Sequence, residues 1–538
     1  MPAKQLRFRS EARAKILRGA TTLADAVRIT LGPRSKSVLI ARKWGTPLVC
    51  NDGVTIAKEL ELQDPDEDLG ARMIRQAAER TGDAVGDGTS TATILAAAIY
   101  ADGVRNVEAG ASAVDLRRGL DRGLRAAVGA IQRISRPITS LREKAQIATI
   151  SAHNDEAIGK LVADAVEKVG AEGVVSLEDA KGTETALEVV EGMSFDRGFL
   201  SPYFVTDPAR MECAFDKPLI LLHDGKITGM QPLLPVLEQV AQSGRPLVII
   251  ADEIETEALA TLVVNRVRGV LSSVAIKAPG FGDRRKEILS DIAVLTGAKV
   301  ISAELGEKLE NVKLDNLGSA ARVLVDKDTT AIIGGSGDRR AIADRVERLR
   351  LEVRETKSDY DKDKLQERLA KLTGGVAVIR VGAASEAEAK ARKEAFEDAV
   401  SATKAAVAEG IVPGGGLAFL RAIEAVALEA RACDGDERTG VQILARALEV
   451  PTRTIADNSG VDDGVVVDKM RSGTGNFGFD AARGVYGDLV AAGIIDPTKV
   501  VRLALEHAVS VAGVLLLSEA TLTEVPEPSK PSAEPAEV

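Results

Sequence analysis

The chain has 538 residues, of which 45% are hydrophobic, 28% charged and only 3% aromatic. A chain of this length exceeds one compact core, so we expect about three domains, with aliphatic side chains supplying most of the buried surface. The 70 lysines and arginines against 80 aspartates and glutamates give a net charge of −10. This acidic balance argues against nucleic acid as the main partner.

The cysteines Cys50, Cys213 and Cys433 are far apart and form no CxxC motif, and the three histidines are equally scattered. This spacing argues against a zinc site and fits a reducing compartment. The N-terminal residues alternate in charge and contain no apolar segment of the kind found in signal peptides. The longest apolar stretch, residues 508–517, is too short to span a bilayer. We therefore expect a cytoplasmic protein with no membrane partner.

In chain order, residues 10–30 have apolar side chains at helical spacing, and Gly32-Pro33 is expected to stop this helix. Residues 64–136 are almost entirely helix-forming. The middle of the chain alternates short β-branched runs with helical segments, which is typical of an α/β domain. Residues 341–372 have the pattern of a charged helical pair. Helical sequence returns towards the C-terminus, so we expect the chain to leave a helical domain and return to it.

Residues 86–91 are GDGTST and precede an apolar helical run, yet no Walker A sequence, GxxxxGK[ST], occurs in the chain. The free N–H groups at a helix N-terminus and the hydroxyls of Thr89, Ser90 and Thr91 nevertheless suit phosphate oxygens. Asp87 would repel phosphate unless a divalent cation lay between them, so this aspartate predicts Mg²⁺. Taken alone, the stretch is more typical of a capped structural helix.

Other motifs are weaker signals. Residues 473–478, GTGNFG, match GxGxxG but are not followed by the helix that a dinucleotide-binding fingerprint requires, so we reject a Rossmann site. Thr30–Pro33 is typical of a helix stop, residues 51–53 of a turn and residues 412–416 of a loop. Asp398 lies in a helical segment, where an aspartate serves chemistry only if the fold brings it to a phosphate site.

Two helical segments of the middle region are more apolar than one buried face requires. Residues 233–240 add Leu234 and Leu237 to a core stripe, and residues 259–267 are apolar almost all round. Residues 199–204 hold three of the few aromatic side chains. Such side chains are typical of a core, and the alternative is an exposed apolar patch that binds a partner.

Nine motifs in a consistent order resemble those of GroEL-type group I chaperonins, from end to end apart from the C-terminal tail. They are TLGP (30–33), NDGVTIAKE (51–59), GDGTSTAT (86–93), EGMSFDRGFLSPYF (191–204), LATLVVN (259–265), KAPGFGDRRK (277–286), SDYDKDKLQERLAKLTGGVAVI (358–379), EDAVSATKAAVAEGIVPGGG (397–416) and IIDPTKV (494–500).

The resemblance implies an α+β multidomain chaperonin fold with three domains and a tail. These are a helical equatorial ATP-binding domain (1–136 and 411–525), a small α/β intermediate domain (137–191 and 377–410), an α/β apical domain (192–376) and a disordered tail (526–538).

The same resemblance implies the functional residues. Asp398 would activate the attacking water, Asp52 would be a supporting carboxylate, and Asp87 would hold Mg²⁺; K⁺ is a further candidate cofactor beside ATP. Asp496 would contact the ribose. The implied nucleotide-binding residues are Thr30, Leu31, Gly32, Pro33, Asn51, Asp87, Gly88, Thr89, Ser90, Thr91, Gly415, Asp480, Ala481, Ala482 and Asp496. The implied surface for clients and co-chaperonin consists of Phe199, Tyr203, Phe204, Leu234, Leu237, Leu259, Val263 and Val264.

The implied partners are unfolded polypeptides, a small ring-forming co-chaperonin lid and further copies of the chain in a tetradecamer of two heptameric rings. ATP binding and hydrolysis would drive enclosure and release of the client. The pairs Arg197–Glu386 and Asp83–Lys327 look like the family's switching ion pairs.

The chain also departs from the family pattern. Asn51 stands where many members have lysine, Ser90 where threonine is usual, and Asp480 and His153 where asparagine is usual, and the tail lacks Gly-Gly-Met repeats. Asn51 removes a positive charge near the phosphates, and Asp480 alters a candidate adenine contact.

Two other functions are considered. One is a divergent chaperonin-like scaffold with weak or no ATPase activity and specialised clients, although the retained Asp52, Asp87 and Asp398 argue against it. The other is a metabolic α/β enzyme, which would need a catalytic histidine or cysteine near the central strands. No histidine or cysteine has a position in the sequence that indicates such a role.

Overall fold

The computed structural model describes residues 4–41, 47–170, 173–180, 182–190, 192–208, 210–302, 304–356, 358–373 and 375–524. The chain divides into two compact units, Met1–Ala163 with Glu394–Val538, and Asp164–Lys393. Over the described ranges, no helix combines the length and the apolar character needed to cross a membrane. The tail predicted to be disordered, 526–538, lies outside the described residues, and the three-domain division stays a prediction.

The N-terminal part of the first unit is mainly helical. Its elements are β1 (Lys4–Phe8), α1 (Arg9–Arg28), β2 (Val38–Ile40), β3 (Leu48–Cys50), α2 (Gly53–Glu59), α3 (Pro65–Val85), α4 (Thr89–Glu108), α5 (Ala113–Ile134) and α6 (Leu141–Ser151), followed by α7 (Glu156–Val169). Helix α3 begins at Pro65 because the Asp64 carboxylate accepts the N–H groups of Asp66 and Glu67. The predicted helical stretches 10–30 and 64–136 are confirmed.

The second unit contains the α/β sequence of the middle region. Its elements are β4 (Val174–Asp179), β5 (Ala186–Val190), β6 (Gly192–Phe195), β7 (Cys213–Asp216), β8 (Leu219–Ile227), α8 (Leu234–Ser243), β9 (Leu247–Ile254), α9 (Thr256–Val267), β10 (Ser273–Lys277), α10 (Gly282–Thr296), β11 (Val300–Ile301), β12 (Gly318–Val325), β13 (Thr330–Gly335), α11 (Arg339–Glu355), α12 (Asp359–Thr373) and β14 (Val376–Val381). The predicted charged helical pair is α11 and α12.

Two sheets organise this second unit. The larger has the order β10-β9-β8-β12-β13-β6, with β11 paired to β8 and β7 to β12; the smaller has the order β4-β14-β5. Strands β8, β9 and β10 are parallel to one another, as the alternation of strands and helices predicts.

The chain then returns to the first unit. Helix α13 (Glu386–Glu409) leads into β15 (Ile411–Pro413), α14 (Leu417–Arg431), α15 (Gly435–Ala447), α16 (Val450–Asn458), α17 (Asp463–Ser472), β16 (Phe477–Asp480), β17 (Val485–Asp488), β18 (Ile495–Pro497), α18 (Thr498–Leu516) and β19 (Ala520–Glu524). The pairs β1–β19, β2–β3, β15–β18 and β16–β17 each form a two-stranded sheet. GTGNFG (473–478) follows helix α17 and runs into strand β16. The helix that a dinucleotide-binding fingerprint requires after it is therefore not there, as the rejection of a Rossmann site expected.

The core of the first unit is built from aliphatic side chains, as the low aromatic content predicts. Helix α1 packs on α3 and α4, helix α18 on α3, α4 and α5, and helices α14 and α15 on α5. Leu23, Ile74, Leu95, Leu120 and Leu505 from five of these helices are fully buried. The apolar run 508–517 lies mostly in α18, so its interpretation as a buried helix is confirmed.

His153 and Asn154 both have positive φ, 53° and 68°. Asparagine and histidine are both enriched among the non-glycine residues of this left-handed region. The departure to histidine at position 153 therefore keeps a side chain that suits the backbone conformation there.

Candidate functional site

The first loop of the site follows α1, where the chain leaves the helix in a tight turn. The Thr30 N–H and hydroxyl both donate to the Val27 carbonyl, at 3.0 and 2.8 Å. Gly32 then has φ 91°, a conformation that glycine adopts without steric cost. The helix stop predicted at Gly32-Pro33 is confirmed, and it leaves a compact turn, Thr30–Pro33.

The second loop connects α3 to α4 and leaves the N-terminus of α4 open. Gly86 and Gly88 have φ 71° and 80°, and Gly88, the N-cap residue, provides no side-chain cap. The first intrahelical bond runs from Ala92 to the Gly88 carbonyl, so the amides of Thr89, Ser90 and Thr91 precede the regular helical bonding. Such a helix end attracts anions through its N–H groups and its dipole. The helix expected for GDGTST alone does form, with an N-cap residue that provides no side-chain cap. The phosphate-binding role of the loop stays a prediction.

The two loops are in direct contact. The Thr30 hydroxyl lies 3.0 Å from the Ser90 hydroxyl. Gly53 packs against the same place, because a β-carbon at residue 53 would overlap the Ser90 oxygen and lie 3.2 Å from Thr89 Oγ1. Hydroxyls from α4 and from the turn after α1 thus line one small region.

Residues 51–53 start a helix, so their prediction as a turn was wrong. The Asp52 carboxylate accepts the N–H groups of Val54 and Thr55 at 3.3 and 2.7 Å and so caps α2. Asn51 lies just before this cap and is partly buried. The cap fixes the Asp52 carboxylate beside the loops.

Four carboxylates converge on this region from separate parts of the chain. Burial first, and then the nearby Asp87 and Asp52, raise the pKa of Asp398 to about 9. Burial and then Asp87 raise the pKa of Asp496 to about 7. Like charges in a poorly solvated place disfavour ionisation, so a cation among these groups would relieve their repulsion.

Helix α13 brings Asp398 to the GDGTST loop. A β-carbon on Gly86 would lie 2.5 Å from Ser401 Cβ and 3.9 Å from the Asp398 Cα. The prediction for Asp398 required that the fold bring this helical aspartate close to the GDGTST loop, and the fold does so.

The donor set fits Mg²⁺ held jointly by protein and phosphate. Among the described residues, no three His, Cys, Asp or Glu side chains are placed to ligate one ion. Mg²⁺ typically uses one or two carboxylates and takes its other ligands from phosphates and water. Asp87, next to the open end of α4, fits this arrangement.

A glycine turn, residues 414–416, faces the β-hairpin of β16 and β17. Gly415 has φ 64° and would bring a β-carbon within 3.9 Å of the Phe479 carbonyl. A β-carbon on Gly414 would lie 3.0 Å from Asp496 Oδ1. Asp496 itself is fixed by the pairing of β15 with β18, opposite Val412.

The Asp480 carboxylate is engaged within its own hairpin. It accepts the N–H groups of Ala482 and Arg483, at 3.0 and 3.1 Å, and so holds the turn between β16 and β17. Ala481 is buried and Ala482 exposed. Asparagine can make the same turn contacts through its side-chain oxygen, so this departure preserves the local structure; an adenine contact stays a prediction.

Sequence reasoning missed the residues that fix these loops. Asn458, at the end of α16, donates to the carbonyl of Arg28, the last residue of α1, and to that of Leu31 in the turn. Arg34 donates to the Ala482 carbonyl. On the side of α3, the Thr81 hydroxyl is 2.9 Å from His507 Nδ1. None of these side chains lies in a recognisable motif, so the sequence carries no signal for them.

In the second unit, the predicted client-binding residues are of two kinds. Tyr203, Leu234 and Val264 are 69%, 50% and 45% exposed, whereas Phe204 and Leu237 are buried. Phe199, Leu259 and Val263 are partly buried against the same core. In this conformation Phe204 and Leu237 are core residues and offer no surface to a client. The sequence left open whether the predicted residues form a core or an exposed patch, and the structure contains some of each.

The two predicted ion pairs have different outcomes. Within the described part of the chain, Arg197 forms no ion pair with Glu386, and its guanidinium lies 5.8 Å from the centroid of the Phe281 ring. Asp83 and Lys327 belong to different units, and their pairing stays a prediction.

Replacing Gly53 by alanine tests the contact between the two loops. The added β-carbon would displace the hydroxyls of Ser90 and Thr89. The predicted role of these hydroxyls in holding phosphate then implies that MgATP binding weakens about tenfold, the effect of losing one or two hydrogen bonds. Gly129→Ala is the matched control, since its β-carbon would have only Arg133 Nη1 nearby, at 3.6 Å. Isothermal titration calorimetry measures both, and equal affinities for the two variants would contradict the contact's role.

The chain is similar to known proteins over most of its length. Residues 23–526 match the model of the TCP-1/cpn60 chaperonin family. The chain is 66% identical to Chaperonin GroEL 5 of Bradyrhizobium diazoefficiens over 530 residues, which cover 98% of each chain. The chain therefore belongs to the TCP-1/cpn60 chaperonin family, as a GroEL-type chaperonin.

Proposed function

We propose that this protein is an ATP-driven folding chaperone that binds unfolded polypeptides and encloses them in a ring cavity. The observation that carries the proposal is the convergence of Asp52, Asp87 and Asp398 on the open N-terminus of α4. This arrangement supplies an anion-binding helix end, a cation ligand and a candidate base in one place. It also argues against the scaffold without ATPase activity.

In this proposal, Thr30–Pro33 and residues 87–91 hold the phosphates, and Asn51 lies beside them. Asp87 holds Mg²⁺, whose charge offsets that of the phosphate oxygens and of the neighbouring carboxylates. Gly415, the 480–482 turn and Asp496 surround the nucleoside. K⁺ is a further candidate ion for the same region.

Asp398 orients and deprotonates the attacking water, and Asp52 is the supporting carboxylate. The pKa of Asp398, raised to about 9 by burial and by Asp87 and Asp52, is too high for an ionised base at neutral pH. Positive charge at Asp87 removes part of that repulsion. A cation held at Asp87 therefore favours the ionised form of Asp398, which is the form that acts as a base.

Clients bind to the exposed part of the apolar patch on the second unit, with Tyr203, Leu234 and Val264 as its most exposed predicted members. Nucleotide binding favours a conformation in which this patch is covered by a co-chaperonin lid, and hydrolysis times the client's release. The proposal keeps the equatorial, intermediate and apical domain boundaries predicted from the sequence.

Association with further copies of the chain, proposed as heptameric rings, is supported by two open β-ribbons of the first unit. The ribbon of β1 and β19 exposes Leu6, Phe8 and Leu522, and the ribbon of β2 and β3 exposes Leu39 and Val49. Exposed apolar strands with unpaired edges favour pairing with another chain. We propose that copies of the chain associate through these ribbons, and that two such rings stack.

The cytoplasm is the proposed location. Cys50, Cys213 and Cys433 are all free and buried, which suits the reducing conditions there.

Asp398→Ala tests the proposed chemistry. Loss of a general base should lower the ATPase rate about 100-fold or more, while MgATP binding is retained or tightened because a negative charge is removed. Glu397→Gln, which removes the neighbouring charge on the same helix, should keep most of the turnover. Steady-state phosphate release and calorimetry measure the two properties; an Asp398→Ala variant with wild-type turnover would refute the assignment.

Val49→Lys tests assembly. A charge on the exposed face of the β2–β3 ribbon should shift the protein from rings to smaller species in analytical ultracentrifugation. Val485→Lys is the control, because Val485 is a similarly exposed valine, at 52%, on a different two-stranded sheet. If both variants assemble like the wild type, the β2–β3 ribbon is not an interface.

A further inference from the structure

The turn Thr30–Pro33 is fastened to a distant helix by one side-chain amide. Asn458, the last residue of α16, donates through Nδ2 to the carbonyl of Arg28 and to that of Leu31, both at 2.8 Å. A primary amide has two N–H donors, so both are used on this turn. The bonds join the end of α1 and the turn itself to a residue far along the sequence.

A second contact secures the same turn by packing. A β-carbon on Gly32 would lie 3.3 Å from Ile455 Cγ1 and Cγ2, so the turn rests on the side chain of Ile455, which is also on α16. Asn458 and Ile455 are three residues apart and share one face of the helix. The last turn of α16 thus supports the Thr30–Pro33 backbone from one side.

Arg34 extends the connection to the β-hairpin of the proposed nucleoside side. Its Nη2 donates to the Ala482 carbonyl at 3.0 Å, and Nη1 lies 3.5 Å from the Ser459 carbonyl. Ala482 is in the turn that the Asp480 carboxylate holds. One chain of contacts therefore runs from the phosphate turn through α16 and Arg34 to that hairpin.

We propose that Asn458 and Arg34 are positioning residues that hold the phosphate-binding turn at a fixed place relative to the nucleoside-binding hairpin. The inference rests on the proposed ATP function and adds two residues that neither the motifs nor the family match assigns. Neither side chain needs to touch the nucleotide, because each acts on backbone carbonyls of the two loops.

The consequence is a specific kinetic effect. The bonds from Asn458 and Arg34 exist before nucleotide arrives and do not involve the reacting groups. Their loss lets the two loops shift independently, which weakens binding of a ligand that spans them and leaves the chemical step of bound nucleotide intact. The expected signature is a raised KM for ATP with kcat nearly unchanged.

The test compares Asn458→Ala and Asn458→Asp with wild type and with the control Asn106→Ala. Asn106 makes a similar amide contact, 2.8 Å to the Asp102 carbonyl, within α4 and away from the loops. We expect Asn458→Ala to raise KM for MgATP about tenfold, with kcat within about twofold. Asn458→Asp should raise it further, since a carboxylate would face two carbonyl oxygens. Asn106→Ala should leave KM unchanged.

Arg34→Ala and Arg34→Lys provide a second arm that does not depend on the partly buried Asn458 amide. Arg34 is exposed, so both variants should fold; Arg34→Ala should raise KM several-fold, and Arg34→Lys, which keeps a donor, should recover part of the loss.

Unchanged KM in both Asn458→Ala and Arg34→Ala would overturn the inference while leaving the proposed function intact. The inference would also be overturned if Asn106→Ala raised KM as much as Asn458→Ala does, with a lowered thermal midpoint in both variants. A wild-type protein that does not bind MgATP would overturn the proposed function and this inference together.

Discussion

The approach of several carboxylates to one uncapped helix N-terminus is the constraint on which the rest of the site depends. Burial, and then the charges of Asp87 and Asp52, raise the pKa of Asp398 to about 9. Burial, and then the charge of Asp87, raise the pKa of Asp496 to about 7. Such a cluster is stable only when its members are protonated or a cation lies among them. The helix end offers partial positive charge but no full charge. A phosphate ligand would add further negative charge, so the cation and the nucleotide are expected to bind together.

The proposed chemistry and the proposed client binding reside in different compact units. The carboxylates and loops belong to the first unit, and the exposed apolar residues Tyr203, Leu234 and Val264 belong to the second. Helix α13 contains the boundary between the two, between Lys393 and Glu394, and carries Asp398 shortly after it. A change in the placement of α13 would therefore change the position of the base. In the proposed mechanism, this dependence would couple nucleotide state to client binding.

Much of the fold follows from local sequence. Helical periodicity predicted α1, α3, α4, α5 and α18, and the alternation of strands and helices predicted the parallel part of the larger sheet, because these patterns are set by which faces are buried.

The site was harder to predict from local sequence. GDGTST alone favoured a capped helix, since capping by a side chain cannot be judged from spacing. Asp398 could be linked to the site only from the family resemblance and then from the fold. Residues 51–53 were mistaken for a turn because an aspartate before glycine starts turns and helices alike. Asn458 and Arg34 act on carbonyls brought close by tertiary packing, which no local pattern encodes, and the burial of Phe204 and Leu237 likewise depends on packing.

The most direct test of the charge cluster is the Mg²⁺ dependence of ATP binding in wild type and in Asp87→Asn, measured by titration calorimetry with Mg²⁺ and with a chelator. We expect wild-type affinity to fall about 50-fold or more without Mg²⁺. The Asp87→Asn variant should be nearly insensitive to Mg²⁺ and should bind metal-free ATP more tightly than wild type, because one repelling charge is gone. Equal wild-type affinity in the two buffers, or unchanged Mg²⁺ dependence in the variant, would contradict the role of Asp87 and of the cluster around it.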